Sequence, residues 1–150
     1  MISRLISAAL GATGALAIAA AATGGAVTGP GTIRITDRET SYTVFQGGAG
    51  HPGATEIARQ TLYNTRITER AIGHADLLCT YLTKSARTCS TTYFLPKGKL
   101  VAAGAIGTRL LYQIAVVGGT GLYDNARGSL TVTSTGLHPR REILLFRLAG

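Results

Sequence analysis

The segment VVGGTGLYDNARG, residues 116–128, decides the fold class of this chain. It starts with an apolar run, and the residues that follow it, GSLTVTSTG at 128–136, are rich in Thr and Ser and have the period of a strand. The pattern predicts a strand, a glycine turn and a second strand. Tyr123 is expected to cover the turn. The residues of the predicted turn motif are Gly118, Gly119, Thr120, Gly121, Tyr123 and Gly128.

The GGTG sequence does not fit a dinucleotide-binding loop. The third glycine of such a loop would fall at position 124, which is Asp124. A helix should follow the loop, but residues 128–136 have a strand pattern. Too few residues remain after the motif to complete an α/β domain. These departures argue against nucleotide binding.

The rest of the chain indicates one all-β domain at residues 32–150. Residues 46–55 are predicted to form a loop, and residues 56–70 one or two strands. No convincing amphipathic helix follows the first segment of the chain. Seven or eight short antiparallel strands favour a sandwich or a closed barrel. The clearest strand-like runs are residues 32–45, 75–83, 88–95, 99–104, 109–117, 127–135 and 141–148.

The N-terminal segment has the pattern of an export signal. Arg4 precedes an uncharged, Ala-rich run, and Ala20 and Ala22 suit cleavage by a signal peptidase. We therefore expect a signal peptide at 1–22, a flexible spacer at 23–31 and a secreted protein with no stable membrane span after cleavage. The alternative is an uncleaved membrane anchor, although Gly11 and Gly14 interrupt the run.

The two cysteines are suited to an oxidising compartment. Cys79 and Cys89 lie in neighbouring strand-like runs, with residues 83–85 midway between them. A hairpin turning there would place them opposite one another and allow a disulfide. Two unpaired buried thiols are the alternative. No metal site is predicted, because the three histidines lie far apart and form no ligand-spaced pair with the cysteines.

The net charge of +8 raises the question of anionic partners. The basic residues are scattered, and the densest groupings, Lys97 with Lys99 and Arg140 with Arg141, are only pairs. No aromatic residues are interleaved with them as a stacking platform would require. We therefore expect no nucleic-acid binding.

For two of the predicted strands, the sequence leaves open what one face of the strand contacts. In residues 110–117 both faces are largely apolar, so the outer face is expected to meet either a partner subunit or a covering loop or terminus. In the next strand Arg127 shares a face with Ser129, Thr131 and Thr133. That polar row lies either on the solvent side or along a cavity.

The same motif resembles a known family. VVGGTGLYDNARGSLTV is similar to the GGTG-x-[FY]-x-x-ARG signature of dirigent proteins and of the bacterial proteins grouped with them as allene oxide cyclase barrel-like. Upstream, CTYL, the second cysteine and LPKGKLVAAG resemble the meander of the secreted bacterial members. The resemblance covers residues 72–148.

The resemblance implies an eight-stranded antiparallel barrel, commonly trimeric, with an apolar pocket and no cofactor. Members steer the coupling or ring closure of reactive phenolic intermediates, close an unsaturated fatty-acid epoxide or cyclise polyketides. The arginine of the ARG motif, which contributes to the polar part of the site, corresponds to Arg127. The acidic residues of coupling-type members have no secure match, so Asp76 and Asp124 are candidates by position only.

Three functions remain open at this stage. A cofactor-free cyclase or isomerase would use Arg127 to stabilise an oxyanion and Tyr112 or Tyr81 to donate a proton or pack on a hydrophobic substrate. A lipocalin-like barrel would carry a small hydrophobic molecule without changing it. A structural protein would fill the lumen with its own side chains. A lumenal Arg127 would favour handling of a ligand.

Overall fold

The computed structural model describes residues 31–64 and 70–149. These residues form a closed barrel in which every strand pairs with its neighbours in sequence and β1 pairs with β8. All pairings are antiparallel, which confirms the predicted eight-stranded barrel. The predicted signal peptide and, apart from Gly31, the spacer lie outside the described residues. The strands are β1 (Gly31–Phe45), β2 (Thr55–Tyr63), β3 (Ala71–Thr83), β4 (Ala86–Leu95), β5 (Gly98–Ile106), β6 (Leu111–Gly121), β7 (Arg127–Ser134) and β8 (Arg141–Ala149).

Within the described ranges there is no α-helix, and so none that could cross a membrane. Alternation of side chains explains the strands. In β8, for example, Leu144 and Phe146 are buried in the lumen, whereas Arg141 and Arg147 are exposed. A strand with one apolar face closes readily into a barrel, because closure buries that face and removes the sheet edges.

The two ends of the barrel carry different loops. The end that we call the mouth has the β1–β2, β3–β4, β5–β6 and β7–β8 connections. The opposite end, which we call the motif end, has the β6–β7 connection, the β4–β5 turn and the start of β1. Large apolar side chains fill the lumen toward the motif end: Ile35, Leu62, Leu100, Leu130, Leu144 and Phe146.

The glycine motif has a different structure from the one predicted. Residues 118–121 extend β6 and pair with β5, where Gly119 faces Leu100 and Thr120 faces Lys99. The turn is formed instead by residues 122–126, and Tyr123 within it is half-buried against the core. A Cβ on Gly119 would lie 2.2 Å from the backbone oxygen of Tyr123. The glycine is therefore required for close approach of two backbone segments.

Gly128, at the start of β7, also allows close approach. Its φ is +141°, and a Cβ there would lie 2.0 Å from the backbone oxygen of Arg147. The motif as a whole thus joins β5, β6, β7 and β8 at one end of the barrel. It specifies the backbone and contributes little to the cavity described below.

The predicted disulfide is confirmed. Cys79 on β3 pairs directly with Cys89 on β4, their Cα atoms are 4.1 Å apart, and the sulfur atoms are bonded. Both side chains are buried in the lumen. The hairpin turns at Lys84 and Ser85, as the spacing of the two cysteines predicted.

The boundaries of β2 and β3 differ from those predicted. The sequence suggested one or two strands over residues 56–70 and a further strand from residue 75. In the structure β2 ends at Tyr63 and β3 begins at Ala71. A register shift where Tyr63 pairs with Ala71 ends the regular pairing of the two strands. Residues 71–74 lack the simple alternation that the sequence argument required.

Candidate active site

A cavity of about 370 Å³ opens at the mouth of the barrel. Its volume is within the range of small-molecule sites. The lumen is not filled at this end, because inward positions of the strands carry polar and aromatic residues in place of aliphatic ones. The resemblance implied an apolar pocket, whereas charged and hydroxyl-bearing side chains line much of this cavity. The functional side chains around it are Tyr42, Tyr81, Arg87, Tyr112, His138, Arg140 and Glu142.

Glu56 on β2 organises the charged groups beneath the cavity. Its side chain is fully buried and accepts hydrogen bonds from Arg140 at 2.5 Å, Arg87 at 3.0 Å and the Tyr81 hydroxyl at 2.9 Å. Burial alone would raise the pKa of Glu56, but the hydrogen bond and charge of Arg140, with the charge of Arg87, lower it below its usual value. Glu56 is therefore an anion that holds two cations and a tyrosine in place.

A second carboxylate, Glu39, fixes Arg140 from the other side. It accepts hydrogen bonds from the Arg140 Nε at 2.9 Å and lies 2.7 Å from the His138 Nδ1. His138 in turn packs against Tyr42, with the ring centroids 3.9 Å apart and the ring planes tilted by 36°. Burial and the charge of Glu56 raise the pKa of Tyr42 to about 12, so its hydroxyl stays protonated at neutral pH.

A pair of carboxyl groups lies beside this network. Asp37 on β1 and Glu142 on β8 are direct cross-strand partners, both are buried, and the Glu142 backbone N–H donates to Asp37 Oδ1 at 3.0 Å. Gln60 donates to Glu142 Oε2 at 3.0 Å. Burial and the neighbouring Glu142 raise the pKa of Asp37 to about 9. Burial also raises the pKa of Glu142. The pair therefore retains a proton at neutral pH.

Three buried side-chain atoms have no hydrogen-bond partner among the described residues. They are the Oγ1 of Thr36, the Oδ2 of Asp37 and the Nε of Arg87, which is a donor. Buried polar atoms are seldom left unpaired, because desolvation without a hydrogen bond costs free energy. The Arg87 Nε belongs to a residue that lines the cavity. A ligand oxygen could accept its hydrogen bond.

Of the four predicted catalytic residues, the structure brings two to this cavity. Tyr81 and Tyr112 both line it. Burial, together with the charge of Glu142, raises the pKa of Tyr112 above its ordinary value. Tyr81 is the hydroxyl that donates to Glu56. Their roles remain predictions.

Arg127 does not lie at this cavity, which corrects its expected place in the polar part of the site. It is exposed at the motif end, where β7 begins. β7 is eight residues long, so at about 3.3 Å per residue its ends are roughly 20 Å apart. Ser129, Thr131 and Thr133 alternate with the buried Leu130 and Val132, which places the polar row on the outside of the barrel.

The acidic candidates also lie elsewhere. Asp76 is a cross-strand partner of Arg59 on the outer surface, and the Arg59 Nε is 2.7 Å from its carboxylate. The hydrogen bond from Arg59 lowers the pKa of Asp76, as expected of a surface ion pair. Asp124 is exposed in the β6–β7 turn. Position in the meander or in the motif therefore identified one acid on the outer face, Asp76, and one at the motif end, Asp124.

The sequence argument missed the residues that dominate the cavity. They had a detectable signal, because each acid continues an inward row with period two. On β1 the row is Ile33, Ile35, Asp37 and Glu39, and on β8 it is Glu142, Leu144, Phe146 and Leu148. An acidic residue that continues an apolar row is a candidate for a buried site. Arg140, which lies in a loop, had no such pattern.

The donor types around the cavity suit an organic ligand better than a metal ion. Within residues 31–64 and 70–149, no three His, Cys, Asp or Glu side chains come close enough together to hold a metal. The cavity presents guanidinium N–H groups, tyrosine hydroxyls and the carboxyl group of Glu142, one member of the pair that retains a proton. These donors are matched to ligand oxygens.

No family model and no curated protein matches the sequence. Solved structures do match the fold. A pyocyanin demethylase aligns with a TM-score of 0.64 and 22% identity, over 77% of this chain and 99% of that one. The pterocarpan synthase dirigent protein PsPTS1 aligns at 0.63 and 14% identity, over 81% and 97%. The exo-specific intermolecular Diels-Alderase AbnU aligns at 0.63 and 13% identity, over 81% and 99%.

At these identities the alignments establish the fold, and function has to be argued from the site. The predicted resemblance is confirmed at that level: the chain has the closed barrel fold that dirigent proteins and Diels-Alderase cyclases share.

Proposed function

We propose that the mouth cavity binds a small unsaturated molecule carrying a phenolic or carbonyl oxygen and steers its cyclisation, coupling or isomerisation with no bound cofactor. One observation carries the proposal. Three arginines, three tyrosines and Glu142, one member of the proton-retaining carboxyl pair, line one open cavity above a filled apolar core. A purely structural barrel has no need of buried charges at one end, where aliphatic side chains would stabilise it as well.

The arginines supply electrostatic stabilisation in this proposal. Arg140 is held from two sides by Glu39 and Glu56, so its orientation is fixed before a ligand arrives. Arg87 offers its unpaired Nε. Guanidinium N–H groups stabilise negative charge that develops on a ligand oxygen, and pre-organised donors do so without reorganisation during the reaction.

The carboxyl pair supplies the proton. Glu142 lines the cavity and Asp37 lies behind it. A proton passes from Glu142 to one atom of the ligand, and a proton released from another ligand atom returns to the pair. Such an isomerisation is balanced and requires no oxidant or reductant. A carboxyl group with a raised pKa is suited to this exchange near neutral pH.

The tyrosines shape the ligand. Tyr42, Tyr81 and Tyr112 present aromatic surfaces within one cavity. Packing against them holds a flexible polyene or a phenolic ring in a reactive conformation, which lowers the entropic part of the barrier. The neighbours PsPTS1 and AbnU, named as a dirigent protein and a Diels-Alderase, support steering of this kind.

The proposal is tested by ligand retention and conversion. Protein purified from its own cells is examined by native mass spectrometry for a retained molecule, and 2-naphthol serves as a phenolic probe. We expect Glu142→Gln to lower conversion of the retained molecule at least about tenfold while its affinity changes little. Arg127→Ala is the matched control and should alter neither. Absence of both a retained molecule and 2-naphthol binding would contradict the proposal.

A carrier is the second candidate, and the ion pairs favour it. The guanidinium groups of Arg87 and Arg140 are already paired with buried carboxylates, so part of their charge is not free to stabilise a transition state. A carrier would retain its ligand unchanged through prolonged incubation. In that case Glu142→Gln and the parent protein would show the same product profile.

Export and self-association belong to the same proposal. The Cys79–Cys89 disulfide supports an oxidising compartment, and with it secretion after removal of residues 1–22. On the outer face of β6, Leu111 and Val117 are more than half exposed and no described loop covers them. That surface supports self-association, and the resemblance to dirigent proteins favours a homotrimer, which sedimentation equilibrium of the exported protein would reveal.

A further inference from the structure

Four exposed apolar side chains surround the mouth of the barrel. Phe45 ends β1 and Leu82 lies near the end of β3, so both are on one side of the opening. Leu110 precedes β6 and Leu137 lies in the β7–β8 loop on the other side. All four are at least half exposed, and Leu137 reaches 76%. Apolar side chains on both sides of an opening form a rim that a flat apolar surface can contact.

Cations accompany each part of this rim. Lys84 follows Leu82 in the β3–β4 turn, Arg109 precedes Leu110, and Arg141 begins β8 after the Leu137 loop. All three cations are exposed. Arg38, also exposed, is the cross-strand neighbour of Arg141. Two arginines facing each other on a sheet repel, so an anionic partner would be favoured there.

Carboxylates do not offset this charge. The acids at the mouth end of the described chain are Asp37, Glu39, Glu56 and Glu142, and all four are buried inside the barrel. Glu39 and Glu56 form ion pairs with Arg140 and Arg87, and Glu142 belongs to the carboxyl pair. The outside of the mouth is therefore basic and apolar together.

We propose that the mouth rim docks on the surface of an anionic lipid bilayer. Exposed Leu and Phe side chains insert into the interface while Lys and Arg contact lipid phosphates, and this combination is typical of peripheral membrane binding. A soluble polyanion needs only the cations and leaves the apolar side chains in water. Docking in this orientation turns the opening of the cavity toward the bilayer.

The test is co-sedimentation of the exported protein with vesicles of phosphatidylcholine containing phosphatidylglycerol, and of phosphatidylcholine alone. We expect binding to the anionic vesicles that weakens as salt rises, and little binding to the neutral ones. A rim variant, Leu137→Glu with Arg109→Glu, should bind at least about tenfold more weakly, because it loses one insertion and one cation.

The motif end provides the matched control. Leu122→Glu with Lys97→Glu replaces an exposed leucine and an exposed cation there and changes the net charge by the same amount. Circular dichroism shows whether both variants fold. The proposal requires the control to bind within about threefold of the parent protein. Equal loss in both variants, or no binding of the parent to anionic vesicles, would overturn it.

Two further outcomes also count against lipid. If heparin binds the parent protein as tightly as anionic vesicles do, and the rim variant loses both equally, the surface recognises polyanions in general. If the parent self-associates without lipid and the rim variant does not, the rim is an interface between copies of the chain. These readouts do not depend on turnover, so they are independent of the proposed function.

Discussion

The two ends of the barrel differ in how they use their side chains. At the motif end, glycines bring backbone segments together, as where Gly119 meets the oxygen of Tyr123, and aliphatic side chains fill the lumen. At the mouth, buried Glu56 and Glu39 hold Arg140 and leave a cavity open. The comparison shows that the part of a sequence that identifies a fold need not carry its chemistry.

The largest effect should come from breaking the charge network at the mouth. Glu56→Gln leaves Arg140 and Arg87 buried with one carboxylate fewer, and removing one partner of a buried ion pair destabilises a protein by roughly 3–5 kcal/mol. Urea unfolding monitored by circular dichroism measures the change. Asp76→Asn, which breaks the exposed pair with Arg59, is the control and should cost far less. Equal losses would mean that the network is not the principal electrostatic feature.

The next effect concerns the motif end. Gly119→Ala places a methyl group 2.2 Å from a backbone oxygen that cannot move without disturbing the turn. We expect a loss of roughly 2–4 kcal/mol in the free energy of unfolding. Gly118→Ala is the matched control, because nothing lies within 4 Å of its Cβ position. A Gly119→Ala protein as stable as Gly118→Ala would show that the close approach is not required.

A smaller effect, with a distinct pH dependence, is expected at the carboxyl pair. The pKa of Asp37 is raised from its ordinary 3.8 to about 9 in the folded state, so the folded chain binds this proton more tightly than the unfolded chain. The stabilisation is therefore complete at low pH and is lost as pH rises through this range. Asp37→Asn removes that dependence.

The measurement is the free energy of unfolding of both proteins at pH 5 and pH 9. From pH 5 to pH 9, the free energy of unfolding of Asp37→Asn should rise by at least about 2 kcal/mol relative to that of the parent protein. A parallel series on Asp76→Asn controls for general effects of charge, since the pKa of Asp76 is lowered by Arg59. A constant difference between Asp37→Asn and the parent would show that Asp37 is ionised throughout.

Much of the fold could be predicted from the sequence, because strand period and cysteine spacing are local signals. The pairing of Cys79 with Cys89 followed from a hairpin midpoint, and the all-β class followed from alternation. The sequence placed the glycine motif correctly between two strands, but it assigned the glycines to the turn, whereas residues 118–121 extend β6. Glycine permits a turn and a close backbone approach alike, and only the partner strand distinguishes them.

The candidate site was predicted less well. Tyr81 and Tyr112 were named as residues that would donate a proton or pack on a substrate, and both line the cavity. Arg127 was selected from the motif, yet the catalytic candidate of the same residue type is Arg140, in the β7–β8 loop. Closure of the barrel brings β1, β2 and β8 together over long separations in sequence. The inward rows mark each acid separately, but no contiguous pattern shows that these side chains come together in one cluster.

The most direct test of the central claim is where a ligand binds. Amide chemical shifts of the isotopically labelled protein are recorded during titration with 2-naphthol. We expect the largest changes at the mouth, around Tyr81, Tyr112 and Glu142, and no change at residues 118–128. Changes concentrated at 118–128, with the mouth unperturbed, would contradict this expectation and return the function to the motif end.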